Sequence, residues 1–244
     1  RHLLATLRGR EKDRNMAFTT IGLIAIAIEK EITPWVMYIM EIIKMALPSN
    51  DTPSKKRIGM DPAVFVCISL LANAVNEDIS SDVKSMLDQM MATGLSPALT
   101  VCLRELAQSI PTVKKDISEA LLNMLSRVLM NKPLSHPGVP KNLEQISNSS
   151  VAIESQDVSS IVLALRTLGS FDFEGHSLLP FVKYCANNFL QSEQQEIRLE
   201  AVRTCSRLLA IPIQSDLTGQ SNMVKSTVAH VLSKLLVVGI TDTD

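Results

Sequence analysis

The chain has 244 residues, 46% of them hydrophobic and 20% charged, with a formal net charge of −1. That is enough apolar material for a sizeable core, and near-neutral charge argues against nucleic acid or an anionic membrane surface as the main partner. Only 4% is aromatic and nine residues are Gly, a composition that suits stacked helices better than a sheet-rich enzyme.

The first helix is predicted over residues 10–30, with Ala17, Ile21 and Ile24 on one apolar stripe. Its apolar run from 21 to 28 is too short to span a bilayer, and no signal peptide is visible. Thr33-Pro34 opens a second helix, because proline is favoured at the first helical position, where its missing N–H is not needed. Trp35, Ile39, Ile42, Ile43 and Ala46 are expected on its inner face, and Pro48 stops it. A polar loop over 50–59 carries Lys55, Lys56 and Arg57, read as a solvated loop.

Asp61-Pro62 repeats the cap-plus-proline start. The helix it opens places Val64, Ile68 and Leu71 on its stripe. Ser80 or Ser81 is expected to cap the next helix, with Val83, Met86, Leu87 and Met90 inward and Gly94 closing it. Ser96-Pro97 opens a helix with Leu99, Leu103 and Leu106 on its stripe, and Pro111 opens its partner, reaching about 131. Residues 132–156 contain Pro133, Pro137, Gly138 and Pro140, which forbid a continuous helix, so a long mobile loop is expected there.

Asp157 is the predicted cap of a helix that carries Ile161, Leu165 and Leu168 and ends at Gly169. Residues 171–176 form the turn, anchored by Phe171 and Phe173. The following helix turns Leu178, Phe181, Val182, Cys185 and Phe189 inward. Ser192 and Gln195 have capping-box spacing before a helix over 193–210, with Ile197, Ala201, Cys205, Leu208 and Leu209 on its stripe. Arg198, Glu200, Arg203 and Arg207 are expected to face solvent, and Pro212 to end the helix. A last helix over about 220–238 turns Val224, Val228, Val231, Leu232 and Leu235 inward.

The apolar triplet at 0, +4 and +7 thus recurs five times, as Ala17/Ile21/Ile24, Val64/Ile68/Leu71, Leu99/Leu103/Leu106, Ile161/Leu165/Leu168 and Ala201/Cys205/Leu208. Successive copies start about 47, 35, 62 and 40 residues apart, and each is followed by a second helical segment. That is close to the period of HEAT or armadillo pairs, interrupted once by the long loop. The expected fold is an all-α solenoid of about five antiparallel helix pairs, over 10–47, 61–92, 96–131, 157–191 and 193–238. Residues 240–244 read like the loop before another repeat, so the chain is expected to be a piece of something longer.

No chemistry-bearing motif emerges. Neither a G-x-G-x-x-G nor a phosphate-binding G-x-x-x-x-G-K-[ST] loop is present, and there is no G-x-S-x-G elbow. Asp172-Phe-Glu-Gly175 is not the kinase D-F-G, because Glu174 interrupts it and no H-R-D loop precedes it. His2, His136, His176 and His230 are scattered without metal-ligand spacing. Cys67, Cys102, Cys185 and Cys205 sit inside helical apolar patterns and read as core thiols of a reducing compartment. No catalytic, cofactor-binding or metal-binding residue is assigned. From periodicity alone, a generic HEAT adaptor of the transport-receptor or phosphatase-scaffold type would fit as well.

Longer stretches narrow this. Leu163-Ala-Leu-Arg-Thr-Leu-Gly-Ser-Phe-Asp-Phe-Glu-Gly-His-Ser-Leu178, Ala201-Val-Arg-Thr-Cys-Ser-Arg-Leu-Leu209 and Val231-Leu-Ser-Lys-Leu-Leu-Val-Val-Gly-Ile-Thr-Asp242 resemble the N-terminal HEAT solenoid of the target-of-rapamycin (TOR) kinases. So do Gly94-Leu-Ser-Pro-Ala-Leu-Thr100 and Leu129-Met-Asn-Lys-Pro-Leu-Ser-His-Pro-Gly138, while the loops around 50–60, 141–156 and 210–220 depart from the family pattern. The resemblance implies a non-catalytic scaffold segment of a phosphatidylinositol-3-kinase-related serine/threonine kinase. It implies contacts with Raptor in TOR complex 1 or Rictor in TOR complex 2 and with a second TOR chain, and no nucleic-acid partner or membrane insertion. It also implies a role in nutrient- and growth-factor-responsive signalling, and a cytoplasmic location with recruitment to lysosomal and other endomembrane surfaces. ATP, magnesium and the catalytic residues belong, by the same resemblance, to a kinase domain outside these residues.

Overall fold

The computed structural model describes residues 6–7, 10–48, 62–132, 157–174, 177–214 and 222–241. Of these, 87% are helical and none lies in a strand, so the fold is all-α. The ten α-helices described are α1 (Glu11–Ile28), α2 (Thr33–Ala46), α3 (Pro62–Val75), α4 (Ser80–Ala92), α5 (Pro97–Ser109), α6 (Lys114–Met130), α7 (Val158–Ser170), α8 (Leu179–Asn188), α9 (Gln195–Gln214) and α10 (Asn222–Thr241). The basic loop at Lys55, Lys56 and Arg57, the Asp61 cap, the 133–156 stretch, Gly175-His176 and the connection over 215–221 lie outside the described residues.

Local chemistry explains where the helices start. Ser96 Oγ accepts from Leu99 N at 3.2 Å, and Pro97 fills the position where a donor would be wasted. Asp157 Oδ1 accepts from Ser160 N at 2.9 Å. The Ser160 side chain and backbone amide both stabilise that carboxylate and hold it below its usual pKa. Two expected caps form differently. Ser80 begins α4 directly behind a 3₁₀ turn and caps nothing. Ser192 makes a short turn, accepting from Gln194 N at 3.3 Å, and Arg198 Nη1 donates to the Ser192 and Glu193 carbonyls at 3.1 and 3.2 Å. Ser192 Oγ thus accepts from Gln194 N rather than from Gln195 N, so the capping-box bond is not formed, and α9 starts at Gln195.

The turns between the two helices of a pair share a plan. In the first two pairs a residue of positive φ, Glu29 (49°) or Asn76 (50°), reverses the chain. That residue opens a four-residue 3₁₀ turn whose last residue, Ile32 or Ile79, is buried and pins the turn to the core. Pro111–Val113 does the same in the third pair, with Val113 buried. Gly94 (φ 86°) ends α4 in the left-handed conformation that glycine favours.

By compactness the described residues through Met124 form one unit and those from Leu125 on form another, with the boundary inside α6. In the first unit α1 packs on α3 and α3 on α5. Each first helix of a pair thus lies against the next, as in a solenoid. In the second unit α7 packs on α9, and α8 on both α9 and α10. The cores are built from fully buried Phe18, Phe65, Ile68, Leu71, Met86, Leu99 and Leu103 in the first unit, and Leu165, Leu168, Cys185, Ala201, Cys205 and Val231 in the second.

Several expectations change on contact with the structure. Trp35 is 44% exposed, and Val36 and Met40 take the inner places on α2 with Ile39, Ile42 and Ile43. Leu178 and Phe189 are half-buried, and Ala186 joins the inner row of α8. Leu232 is exposed on α10 and Leu235 half-buried. Neither Gly169 nor Pro212 ends its helix: α7 runs through Gly169 to Ser170, and α9 through Pro212 to Gln214.

Gly169 has a different role. A Cβ there would lie 3.2 Å from Thr204 Cα and 3.3 Å from its Oγ1, so the missing side chain is what lets α9 approach α7. Thr204 Oγ1, fully buried, donates to the Leu165 carbonyl at 2.9 Å across the same contact. Gly169→Ala requires Thr204 to give way by a few tenths of an ångström, which should cost about 1–3 kcal/mol and outweigh the about 0.5–1 kcal/mol that alanine gains in helix propensity. Gly239→Ala, where nothing lies within 4 Å of the new methyl, should instead stabilise by about 0.5–1 kcal/mol through helix propensity. Urea unfolding of the two variants checks the opposite signs.

Candidate functional site

The faces that hold consecutive repeats together are the best-defined feature. Val64, Ile68 and Leu71, Leu99, Leu103 and Leu106, and Ile161, Leu165 and Leu168 are buried in the second, third and fourth pairs. The first and fifth pairs differ at the last position. Ala17 and Ile21 are buried, but Ile24 is 37% exposed and Ala25 takes its place. Ala201 and Cys205 are buried, but Leu208 is half-buried and Leu209 closes the row. In both helices the row follows i, i+4, i+8, the ridge direction of close helix packing. Gly22 shows why in α1: its absent side chain faces Leu70 and Cys67 of α3, with a hypothetical Cβ 2.7 Å from Leu70 Cδ1. That contact turns α1 toward Phe18, Gly22 and Ala25 and leaves Ile24 outside.

Polar rungs join the same elements at their rims. Lys44 of α2 pairs with Asp82 of α4 at 2.8 Å, and Lys84 of α4 with Asp116 of α6 at 3.1 Å. Asn73 Nδ2 donates to Glu105 Oε2 at 3.1 Å, and Ser109 Oγ donates to Asn73 Oδ1. Thr112 donates from its backbone N, at 3.3 Å, and from its hydroxyl to the Glu77 carboxylate, tying the second turn to the third. These are exposed or half-exposed and add register more than stability.

Glu200 is the residue that helical periodicity misplaces. It was expected at the surface and is 4% exposed. Its Oε2 lies 3.4 Å from Arg166 Nη2 of α7 and 3.7 Å from Arg203 Nη1 of its own helix. A carboxylate can sit there because guanidinium groups from two helices meet it, their own side chains 59% and 54% exposed. The signal lay in the register: Glu200 and Thr204 form a row beside Ala201 and Cys205, facing Leu165 and Gly169 of the preceding repeat.

The four cysteines are free and buried. Burial pushes the Cys67, Cys102 and Cys205 thiols up to about 12, and the neighbouring Cys102 adds to the rise at Cys67. Cys185 rises further, through burial and then the nearby Cys205. A thiol kept protonated in the fold but free to ionise near 9.0 when unfolded lends stability that is complete below pH 9 and is lost as pH climbs toward the folded value. Stability should therefore fall between about pH 9 and 12, and less steeply in a Cys67→Ser/Cys102→Ala/Cys205→Ala chain, as denaturant midpoints would show. All four thiols should resist alkylation at pH 8 until the chain is unfolded.

Among the described residues no group of three or more His, Cys, Asp or Glu is placed to hold a metal ion. His230 Nε2 instead lies 2.9 Å from Asn187 Oδ1, linking α10 to α8; His2, His136 and His176 lie outside the described residues. Residues Pro62–Ala92 are long and apolar enough, by composition, to cross a membrane, which a search for unbroken apolar runs misses. They are two helices folded apart by the turn at Asn76, and more than half of the apolar window is buried against other helices.

No sequence-family profile matches the chain. Among curated proteins it is 49% identical, over all 244 residues, to the serine/threonine-protein kinase mTor of Drosophila melanogaster. It is 33% identical to tor1 of Schizosaccharomyces pombe and 28% to TOR of Arabidopsis thaliana, again over its whole length. The chain spans about 10% of the length of each of these relatives, so the catalytic domain of those kinases lies outside the matched residues. From end to end this all-helical chain is homologous to one segment, about 10% of the length, of TOR serine/threonine kinases.

Proposed function

We propose that the chain is a non-catalytic protein-interaction segment that supports assembly of the nutrient- and growth-factor-responsive TOR complexes. The observation that carries this is homology to TOR kinases over the whole chain, confined to about 10% of their length and folded as stacked helix pairs. Such stacks present long continuous surfaces and are commonly used for binding other proteins. On this reading the partners are Raptor in complex 1 or Rictor in complex 2, and a second TOR chain, with no nucleic acid and no membrane insertion. The segment takes no cofactor of its own; ATP and magnesium serve the kinase domain elsewhere. Its location is cytoplasmic, with recruitment to lysosomal and other endomembrane surfaces through the assembled complex.

The purified chain, immobilised and offered purified Raptor and Rictor separately, should retain at least one. It should show no saturable uptake of magnesium-ATP in titration calorimetry. Retention of neither protein, or ATP binding that a single substitution abolishes, would overturn the reading.

A further inference from the structure

The Glu200 site has more positive charge than it needs. One guanidinium neutralises one carboxylate, yet Arg166 and Arg203 both approach the same oxygen, at 3.4 and 3.7 Å, and neither distance is that of a tight bond. Both arginine side chains remain more than half exposed. Arg207, one turn beyond Arg203 on α9, is exposed as well, and so is Leu199, one turn before it. Leu199, Arg203 and Arg207 therefore form a line at i, i+4, i+8, with Arg166 beside it, held close by the Gly169–Thr204 contact. Exposed Glu196 stands at the start of α9. The group Arg166, Glu196, Glu200, Arg203, Arg207 carries three positive and two negative charges, and on α9 the two arginines follow the two carboxylates along the helix.

We propose that this ridge docks an acidic segment of a protein. One carboxylate or phosphate group bridges Arg166 and Arg203, a second meets Arg207 about one helical turn, roughly 5–6 Å, further on, and an apolar neighbour covers Leu199. Arginine forks suit both oxyanions, and arginine is enriched at protein–protein interfaces. The small size of the patch and the chain's net charge of −1 disfavour a nucleic-acid backbone. The inference rests on the reading of the chain as a protein-binding segment and gives that reading a place and a chemistry.

The test is fluorescence anisotropy with the whole chain and three labelled peptides: leucine followed by spaced glutamates, the same peptide with phosphoserines for glutamates, and the same with glutamines. The acidic peptides should bind saturably and the glutamine peptide should not. Binding should weaken as salt is raised, because exposed charge pairs are screened. Arg207→Gln leaves the partners of Glu200 in place, so a purely structural role for the arginines would leave it silent. It should weaken binding about three- to tenfold, and Arg203→Gln at least as much. Preference for the phosphoserine peptide would assign the ridge to a phosphorylated segment; equal binding would assign it to any acidic one. Failure of both acidic peptides to bind, indifference to both substitutions, or displacement by a duplex oligonucleotide at equal concentration would overturn the proposal. Retention of Raptor or Rictor is scored on the same preparations, so failure of the ridge is separable from failure of the scaffold reading.

Discussion

Ala201→Arg should unfold the second unit while the first stays folded. Ala201 is fully buried in the row of α9 that continues through Cys205 and Leu209. An arginine there has no space and no partner. Overpacking alone costs about 1–3 kcal/mol, and an uncompensated buried charge about 3–5 kcal/mol. Whole small domains are commonly stable by only about 5–15 kcal/mol. Contacts in stacked repeats run mainly between neighbours, so the damage should remain local. Hydrogen exchange should show lost protection in α7 to α10 and near-normal protection in α1 to α5. Ser206→Arg, on the exposed side of the same helix, is the matched control and should be nearly silent. Equal protection in the two variants would mean that the Ala201 row is not an interface.

Glu200→Arg should be nearly as damaging, although periodicity alone makes position 200 a surface site. The substitution sets a third guanidinium beside Arg166 and Arg203 in a place with almost no access to water. Breaking a buried pair in this way costs about 3–5 kcal/mol, because a charge is left uncompensated. Glu200→Gln keeps the shape and some hydrogen bonding and should cost less, about 1–3 kcal/mol. The swap Arg166→Glu with Glu200→Arg should recover part of the loss. A double-mutant cycle on denaturant unfolding measures that coupling, and zero coupling would show that the two side chains do not act on each other.

These two neighbouring residues also show how far a sequence can be read. Apolar spacing finds a helix and the direction of its main neighbour, and so it locates the rows in the second, third and fourth pairs. It does not reveal that α9 is met from more than one side. Glu200 and Thr204 stand next to the apolar row, and α7 covers them by bringing Arg166 and the Leu165 carbonyl, both polar partners. The pattern therefore looks polar where the structure is buried. Gly169 reads as a helix stop by composition and is instead the thin place where two helices touch. Pro212 reads as a stop too, but α9 runs on for two more residues. Leu208 and Ile24 fail for a geometric reason: +7 and +8 are both near the stripe, and which of them is buried depends on how the neighbouring helix crosses. The interaction ridge was illegible for a related reason, since Arg166 and Arg203 come together only through the packing of two repeats.

The central claim, that these residues build an assembly and leave chemistry to another part of the kinase, is tested most directly in a full-length TOR kinase carrying Ala201→Arg. Co-precipitation of Raptor, Rictor and a second, differently tagged TOR chain is measured beside phosphorylation of a short peptide by the same preparation. The account predicts weakened recovery of at least one partner with peptide phosphorylation per catalytic site unchanged. Full recovery of every partner, in a protein whose α7 to α10 region has demonstrably lost protection, would contradict it.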